Sequence, residues 1–360
     1  MSNSNLQVAV TKTRQPGTLP ANGEYGFGRY FSDHMFSVDY EVERGWYDLR
    51  ITPYAPIPMD PGASVLHYGQ ALFEGMKAYR GDDNKIRLFR PEMNYKRMCD
   101  GAERLCMQMP SLDIFLQGLD SIVRTDHSWI PNQPGTALYL RPTLIGTEGF
   151  LGVRPSNQYL FYVIASPVGG YYGEGIGCVK IWVEQKYSRA ARGGIGAVKA
   201  GGNYASSLRA AFDSKKQGYA QVLWLDAAEK KYVEEVGTMN VFFKIGAEVI
   251  TPALSGSILP GVTRDSVIQL LKSAGVKITE RPISISEVRD AHKNGQLKEI
   301  FGTGTAASIS PVGQLGFADE IITIGSGEAG PMANHLFATL NNIQYGRIKD
   351  EFGWTQIVSI

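Results

Sequence analysis

The chain has 360 residues, of which 43% are hydrophobic and 20% charged, and its 36 basic and 35 acidic residues leave a net charge of +1. This composition is typical of a soluble globular protein, and the length favours two domains. Because the charge is nearly balanced and no run of one sign stands out, there is no electrostatic basis for binding nucleic acid or an anionic membrane.

Cysteine and histidine spacing gives no metal or disulfide pattern. The three cysteines form no CxxC and the five histidines form no HxH or HExxH, so we expect no metal site and a reducing, cytoplasmic setting. The N-terminal residues lack the apolar core of a secretory signal, and no stretch approaches 18 consecutive apolar residues.

In chain order, the first half of the sequence combines predicted strands and helices after a loosely structured start at 1–30. The segment 67–81 gives a mixed signal. Pro91 opens one predicted helix, and LDIFLQGLDSIVRTD forms another. Strand-like patterns lie at 40–54, 85–90, 136–146 and 158–168.

A glycine-rich segment, GGYYGEGIG at 169–177, is the best candidate for a linker between domains. It superficially resembles a dinucleotide-binding GxGxxG, but a strand follows it where that motif requires a helix. We therefore predict an N-terminal domain at 1–168, a linker at 169–178 and a C-terminal domain at 179–360.

The second half alternates strands and helices, so the predicted fold class is mixed α and β. Predicted strands include 179–188, 221–227 and 232–245. Residues 301–311 are predicted as a turn. Helices are predicted at 203–218, from about Val262, near 286–293 and at about 330–345.

A second glycine cluster surrounds Lys199, in ARGGIGAVKAGGNY at 191–204. The flanking strand and helix predict that Lys199 lies in a tight ordered junction; a solvated lysine on a mobile loop is the alternative. Lysine is a nucleophile only when neutral, and desolvation or a nearby cation lowers its pKa. Such a lysine can bind pyridoxal phosphate, which also requires a phosphate cradle and a carboxylate beside its pyridine nitrogen.

Candidates for both requirements lie in the second half. The Pro-Gly of LPGVTRDS precedes a predicted helix whose first N–H groups can bind an anion, and FGTGTAAS can form a nest-like turn. Either can also be an ordinary turn. Glu234 and Glu235 are neighbours in a predicted strand, so only one can face a site; a solvent-exposed glutamate on an edge strand is the alternative.

Five motifs together resemble the branched-chain amino-acid aminotransferase family, a group within the fold-type IV pyridoxal-phosphate enzymes. They are AVKAGGNYASS, EVGTMNVFF, LPGVTRDS, GTGTAASISP and FEGMKAYRG. The resemblance, from about Tyr68 to Ala307, implies a smaller N-terminal α/β domain and a larger C-terminal domain with pyridoxal 5'-phosphate between them. It also implies a cytoplasmic homodimer that exchanges the amino group of L-leucine, L-isoleucine or L-valine with 2-oxoglutarate by a reversible ping-pong mechanism.

The resemblance also implies roles for individual residues at the cofactor. Lys199 would hold the cofactor covalently and move a proton to and from the substrate's Cα, Tyr204 would contact the phenolic oxygen, and Glu235 would pair with the pyridine nitrogen. The remaining phosphate and ring contacts would be Arg97, Leu259, Val262, Thr263 and Thr305. Helical spacing alone instead predicts that Arg97 is a surface residue paired with Asp100 or Glu103.

For the substrate, the resemblance implies a side-chain pocket, two contacts near the α-carboxylate and a loop from the neighbouring subunit. In that order, these are Tyr68, Phe73, Tyr139, Arg141 and Tyr171; Thr238 and Ala306; and Leu151 and Val153. Ordinary core packing is the alternative for the aromatic residues, and a structural ion pair is the alternative for Arg141. Some relatives carry a redox CxxC where this chain has Ala307-Ser308-Ile309-Ser310, so no thiol switch is expected there.

Three other functions remain open at this point. A D-amino-acid aminotransferase or an aminodeoxychorismate lyase would share the fold, although EVGTMN and FEGMKAYR favour the branched-chain group. A non-catalytic binding protein on this fold is the third alternative. Lys199 and Glu235 are both present, which argues against it.

Overall fold

The structure is a computed structural model that describes residues 7–21, 23–169 and 177–360. The chain forms two compact units. One comprises Met1–Gly170, Val198–Gly201 and Asn342–Ile360, and the other comprises Tyr171–Ala197 and Gly202–Asn341. Tyr171 and residues 170–176 of the predicted linker lie outside the described residues.

The first unit is built on a sheet with nine strands among the described residues. These are β1 (Ala9–Val10), β2 (His34–Glu41), β3 (Gly45–Pro53), β4 (Ala71–Phe73), β5 (Met76–Arg80), β6 (Ile86–Phe89), β7 (Ala137–Gly146), β8 (Gln158–Val168) and β18 (Thr355–Val358). Their order is β1-β3-β2-β8-β7-β5-β6-β18, with β4 beside β7. The pairing of β1 with β3 is parallel and the others are antiparallel.

Helices α1 (Ser64–Tyr68), α2 (Pro91–Arg104) and α3 (Leu112–Thr125) accompany this sheet. Helix α3 begins where the sequence predicts, because Ser111 caps it by accepting a hydrogen bond from Ile114 N at 3.3 Å. Its apolar face is buried and contacts β2 and β8. A Cβ on Gly118 would lie 2.7 Å from the ring of Phe36, so glycine permits this close packing.

The second unit has its own sheet, again with nine strands among the described residues. These are β9 (Val179–Glu184), β10 (Gln221–Leu225), β11 (Val233–Val236), β12 (Asn240–Ile245), β13 (Glu248–Thr251), β14 (Ile278–Glu280), β15 (Leu297–Gly304), β16 (Ser308–Gly316) and β17 (Ile321–Thr323). Their order is β11-β10-β9-β16-β15-β12-β13-β14, with β17 beside β16. The pairs β9–β10, β9–β16 and β13–β14 are parallel.

Four helices follow the predicted pattern with slightly shifted ends. They are α4 (Gly201–Lys216), α5 (Val262–Ser273), α6 (Ile285–Lys293) and α7 (Pro331–Gln344). The mixed α and β class is therefore confirmed. Among the described residues, no helix combines the length and the apolar character needed to cross a membrane.

Several sequence-based boundaries are wrong. The single strand predicted at 232–245 is two strands, β11 and β12, separated by a tight turn in which Gly237 has φ +57°. The turn predicted at 301–311 consists of the ends of β15 and β16 with a short turn at 305–307. The strand predicted at 40–54 contains β3 but only the last two residues of β2. Strand β18, near the C-terminus, was not predicted.

Candidate active site

The segment that carries Lys199 is held by main-chain contacts within the first unit. Phe73 N donates a hydrogen bond to Lys199 O at 3.1 Å, and Ala200 forms an isolated β-bridge with Leu72. Helix α4 begins directly afterwards, at Gly201. The preceding strand, β9, ends at Glu184, so the junction is a longer loop than the sequence predicts.

The Lys199 amine lies near an aromatic ring, and the charges of two arginines and a glutamate act on it. The residue is partly buried, and its Nζ lies 4.9 Å from the ring centroid of Phe73. Desolvation lowers the pKa of Lys199, and the charges of Arg97 and Arg141 lower it further, whereas Glu74 opposes the shift. This environment favours the neutral, nucleophilic amine.

Arg97 does not lie on the surface of α2. It is buried, and its Nε and Nη2 donate to the two carboxylate oxygens of Glu74 at 2.7 and 2.8 Å. The pairing with Asp100 or Glu103 suggested by helical spacing is therefore wrong. Its actual partner lies 23 residues earlier in the chain.

Arg141 stacks with two of the predicted pocket aromatics. Its guanidinium carbon lies 4.7 Å from the centroid of Phe73 and 5.2 Å from that of Tyr139. Its Nη2 donates to the hydroxyl of Tyr139 at 3.1 Å. Its Nε is buried and has no hydrogen-bond partner among the described residues. The chain thus places a cation with unused donor capacity beside aromatic rings.

Tyr68 and Leu151 meet within one chain. The Tyr68 hydroxyl donates a hydrogen bond to Leu151 O. The side chains of Leu151 and Val153 are 65% and 86% exposed. Their contribution to the pocket of a neighbouring subunit stays a prediction.

In the second unit, Glu235 is buried on β11 and paired with a cation. Its Oε2 lies 2.8 Å from Nε of Arg189, and its Oε1 accepts a hydrogen bond from Leu259 N at 2.7 Å. Arg189 also donates to the carbonyls of Gly196 and Ser257, at 2.8 and 2.7 Å. The sequence analysis missed Arg189, because the partner it gave Glu235 was the pyridine nitrogen and no spacing indicates this arginine.

Glu234 has a different partner, as expected for a neighbour in a strand. Its Oε1 accepts a hydrogen bond from the Ser257 hydroxyl, and the side chain is buried. Burial raises the pKa of Glu234, although the Ser257 hydroxyl opposes the shift. Neither glutamate is the solvent-exposed residue that the alternative interpretation required.

Four predicted site residues line one narrow cleft of the second unit, together with Arg189. They are Tyr204, Glu235, Thr238 and Leu259. Asn203, at the start of α4, also lines this cleft and donates to Ile195 O at 2.8 Å. With Ser207, which also lines it, the cleft combines a carboxylate, a guanidinium, three hydroxyl groups and an apolar side chain.

Apart from Arg97, which lies within α2, the predicted phosphate ligands lie at a helix N-terminus and in a turn. Val262 and Thr263 are the first residues of α5, and no side chain caps this helix. A Cβ on Gly261 would lie 2.0 Å from Oδ1 of Asn240, so glycine is required where the chain enters α5. Thr305 and Ala306 lie in the turn between β15 and β16. An uncapped helix N-terminus is well suited to bind a phosphate.

Comparison with known proteins decides the family. The chain matches the amino-transferase class IV family over residues 71–315. It is 52% identical over 359 residues to branched-chain-amino-acid aminotransferase 2 of Bacillus subtilis (strain 168), covering all of this chain and 98% of that one. The chain belongs to the class IV aminotransferases, in their branched-chain amino-acid group.

Solved structures of branched-chain aminotransferases share the fold. The Escherichia coli enzyme has a TM-score of 0.74 at 27% identity, covering 91% of this chain and 99% of its own. The T.th. enzyme, solved with pyridoxamine 5'-phosphate, has a TM-score of 0.73 at 26% identity, with 89% of this chain and 98% of its own covered.

The residues of this aminotransferase chain fit the pyridoxal phosphate on which its family depends. The first unit supplies Lys199 with a lowered pKa, and the second supplies the buried carboxylate of Glu235 and the uncapped N-terminus of α5. Among the described residues, no group of three or more His, Cys, Asp or Glu side chains could hold a metal ion. Each unit by itself carries groups of the kind that a lysine-bound aldehyde with a phosphate requires.

The glycines around Lys199 have different structural roles, which predicts different effects of substitution. A Cβ on Gly196 would lie 2.3 Å from Ser257 O, whereas one on Gly201 would meet nothing within 4 Å. We expect Gly196→Ala to destabilise the protein by about 1–3 kcal/mol because it separates two backbones that Arg189 joins.

Gly201→Ala is the matched control. It should leave the stability unchanged or raise it slightly, since alanine suits the first turn of a helix better than glycine. Urea unfolding of both variants measures the difference. Equal midpoints for the two variants would contradict the close approach at Gly196.

Proposed function

We propose that this chain transfers the amino group of L-leucine, L-isoleucine or L-valine to 2-oxoglutarate, reversibly, with pyridoxal 5'-phosphate. The observation that carries the proposal is the pairing of aromatic rings and an arginine near Lys199: Phe73 and Tyr139 offer an apolar surface, and Arg141 offers a cation. A single pocket of this kind suits both a branched aliphatic side chain and the γ-carboxylate of glutamate. The names of the similar proteins support the same substrates.

The proposed roles of the cofactor residues are those that the family resemblance implies. Bound pyridoxal phosphate supplies an electron sink for negative charge at the substrate's Cα. Lys199 holds the cofactor and carries the proton to and from Cα. Glu235, oriented by Leu259 N and Arg189, keeps the pyridine nitrogen protonated. Tyr204 binds the phenolic oxygen, Leu259 packs on the ring, and the phosphate is bound by Arg97, Val262, Thr263 and Thr305.

The proposed substrate contacts complete the assignment. Thr238 and Ala306 lie near the α-carboxylate, and Tyr68 and Tyr171 join the side-chain pocket. We infer a cytoplasmic homodimer in which Leu151 and Val153 reach the partner's pocket, which their exposure in one chain supports. Light scattering of the purified protein tests the dimer, and a monomer mass would contradict it.

A donor panel tests the proposed function directly. We expect L-leucine, L-isoleucine and L-valine to give glutamate from 2-oxoglutarate at rates well above those with D-alanine. Aminodeoxychorismate should give no pyruvate. Faster turnover of D-alanine or of aminodeoxychorismate would identify one of the two related activities instead.

Arg141 separates the two substrate classes in this proposal. Arg141→Met should lower kcat/KM for glutamate and 2-oxoglutarate, because a charge-assisted contact to the γ-carboxylate is lost. The corresponding activation free energy should rise by about 2–4 kcal/mol. The half-reaction with leucine should change much less, since methionine keeps the apolar volume. Single-turnover kinetics with each substrate measures both values. Equal losses, with cofactor still bound, would show that Arg141 only supports the fold.

A further inference from the structure

Glu74 is a fully buried carboxylate to which the sequence analysis assigned no role. It lies between β4 and β5, with no solvent exposure. Its Oε1 accepts from Nε of Arg97 at 2.7 Å, and its Oε2 accepts from Nη2 of Arg97 and from Nδ2 of Asn94, both at 2.8 Å. Two hydrogen bonds from one edge of the guanidinium fix its orientation, as bidentate pairs do.

The charges around this pair explain why a carboxylate is retained in the interior. Burial alone would raise the pKa of Glu74, but the charge of Arg97, its hydrogen bonds and the charge of Lys199 hold this pKa below its ordinary value. The guanidinium of Arg97 therefore stabilises the ionised form of Glu74 in the interior. A buried ion that lost its partner would be strongly unfavourable.

The pair is also linked to Lys199 within the first unit: Glu74 directly follows Phe73, whose main-chain N donates to Lys199 O at 3.1 Å and whose ring centroid lies 4.9 Å from Lys199 Nζ. The charged and titratable groups that act on its amine are Arg97 on α2, Glu74 after β4, and Tyr139 and Arg141 on β7. Arg97 and Arg141 disfavour the protonated amine, and Glu74 and Tyr139 favour it. Glu74 is the ionised carboxylate in this set.

We propose that Glu74 is a positioning residue for the amino-transfer reaction: its carboxylate fixes the guanidinium of Arg97 and balances the positive charge that Arg97 places beside Lys199. The inference rests on the proposed function, in which Lys199 must both release and accept a proton. An amine beside an unbalanced arginine would lose its proton readily but would regain it poorly. Glu74 keeps both protonation states of Lys199 accessible.

The test measures the protonation of Lys199 in the full-length chain freed of cofactor. A limiting amount of acetic anhydride labels neutral lysine amines, and peptide mapping across a pH series gives the midpoint for Lys199, which is partly exposed and so accessible to a small reagent. Glu74→Gln should lower this midpoint by on the order of one pH unit, and Arg97→Met should raise it by a similar amount.

Asp83→Asn is the matched control. Asp83 also forms a bidentate pair with an arginine, Arg87, at 2.7 and 2.8 Å, but it is 41% exposed and is not among the groups that act most strongly on Lys199. Its loss should leave the Lys199 midpoint unchanged. Thermal melting of each variant reports whether the fold is kept.

Opposite shifts from Glu74→Gln and Arg97→Met support the proposal, because a purely structural role for the pair would not produce shifts of opposite sign. Shifts of the same sign, or none, would overturn it. If either single variant unfolds, the double variant Glu74→Gln with Arg97→Met is used, because it removes both charges. It should fold, and the pH midpoint for acetylation of its Lys199 should be close to that of the wild type. A large shift of the Lys199 midpoint in the double variant would also overturn the proposal.

The result of the labelling experiment does not depend on whether the proposed function is correct. The labelling experiment needs no cofactor, so it reports the charge coupling whether or not the chain transfers amino groups. A negative donor panel would reject the proposed function and leave the measured coupling between Glu74, Arg97 and Lys199 unaffected.

Discussion

Replacing Lys199 by alanine should slow transamination between leucine and 2-oxoglutarate by about 10²–10⁴-fold or more, the range expected for loss of a positioned proton-transfer group. The variant lacks the amine that we propose carries the proton to and from Cα. The fold should persist, because the contacts that hold this segment are made by the main chain of Lys199 and Ala200. Steady-state kinetics and thermal melting measure the two effects.

Lys180→Ala is the control for that substitution, since Lys180 is exposed on β9 and lies in no part of the proposed site. It should retain wild-type rates. A Lys199→Ala variant that keeps more than a tenth of the wild-type rate would show that the proton is carried by another group.

Glu235→Gln should retain bound cofactor but slow transamination by at least about 10²-fold, as lost electrostatic stabilisation commonly does. Glutamine cannot balance a protonated pyridine nitrogen. It also leaves the guanidinium of Arg189, 2.8 Å from the Glu235 carboxylate, without its counterion, which further disfavours protonation of that nitrogen. Rapid-scan kinetics of each half-reaction measures the loss.

The neighbouring glutamate provides the control. Glu234 accepts a hydrogen bond from the Ser257 hydroxyl, and the amide oxygen of a glutamine can accept the same bond. Glu234→Gln should therefore change the rate little. If Glu234→Gln causes the larger loss, the assignment of the two residues is reversed.

Elements with a strong local pattern could be predicted from the sequence. Residues 158–168 were predicted as a strand and form β8 with the same bounds, and α5 begins at Val262 as expected. Strand β2 was largely missed because it begins with a polar residue, His34, whose ring contacts Asp126 at 2.6 Å, 92 positions away. Local patterns do not report such a partner, nor the antiparallel pairing of β18 with β6.

Local sequence patterns also fail to report distant partners in the candidate active site. Lysine, glutamate and the α5 N-terminus could be identified by the chemistry that a phosphate-bearing aldehyde requires, but their ionic partners could not. Arg97 pairs with Glu74 and Glu235 with Arg189, across 23 and 46 positions of the sequence. These pairs depend on which strands and loops become neighbours, which neither spacing nor periodicity determines.

The glycines around Lys199 meet two separate requirements, one for side-chain movement and one for the backbone. The original explanation of these glycines, which follows from the family resemblance, is that they leave a path for the Lys199 side chain to move beside a cofactor. The structure adds that Gly196 allows its backbone to approach that of Ser257, and that Gly193 has φ +78°. Gly201 has open space around its Cα, so the original explanation remains a prediction for that position.

The central claim is that Lys199 bears the cofactor, and borohydride reduction of the purified holoenzyme tests it most directly. Reduction makes the link between lysine and cofactor permanent, and peptide mapping by mass spectrometry then locates the phosphopyridoxyl group. We predict a single modified peptide with the adduct on Lys199. An adduct on Lys180, Lys186 or any other lysine would contradict the account.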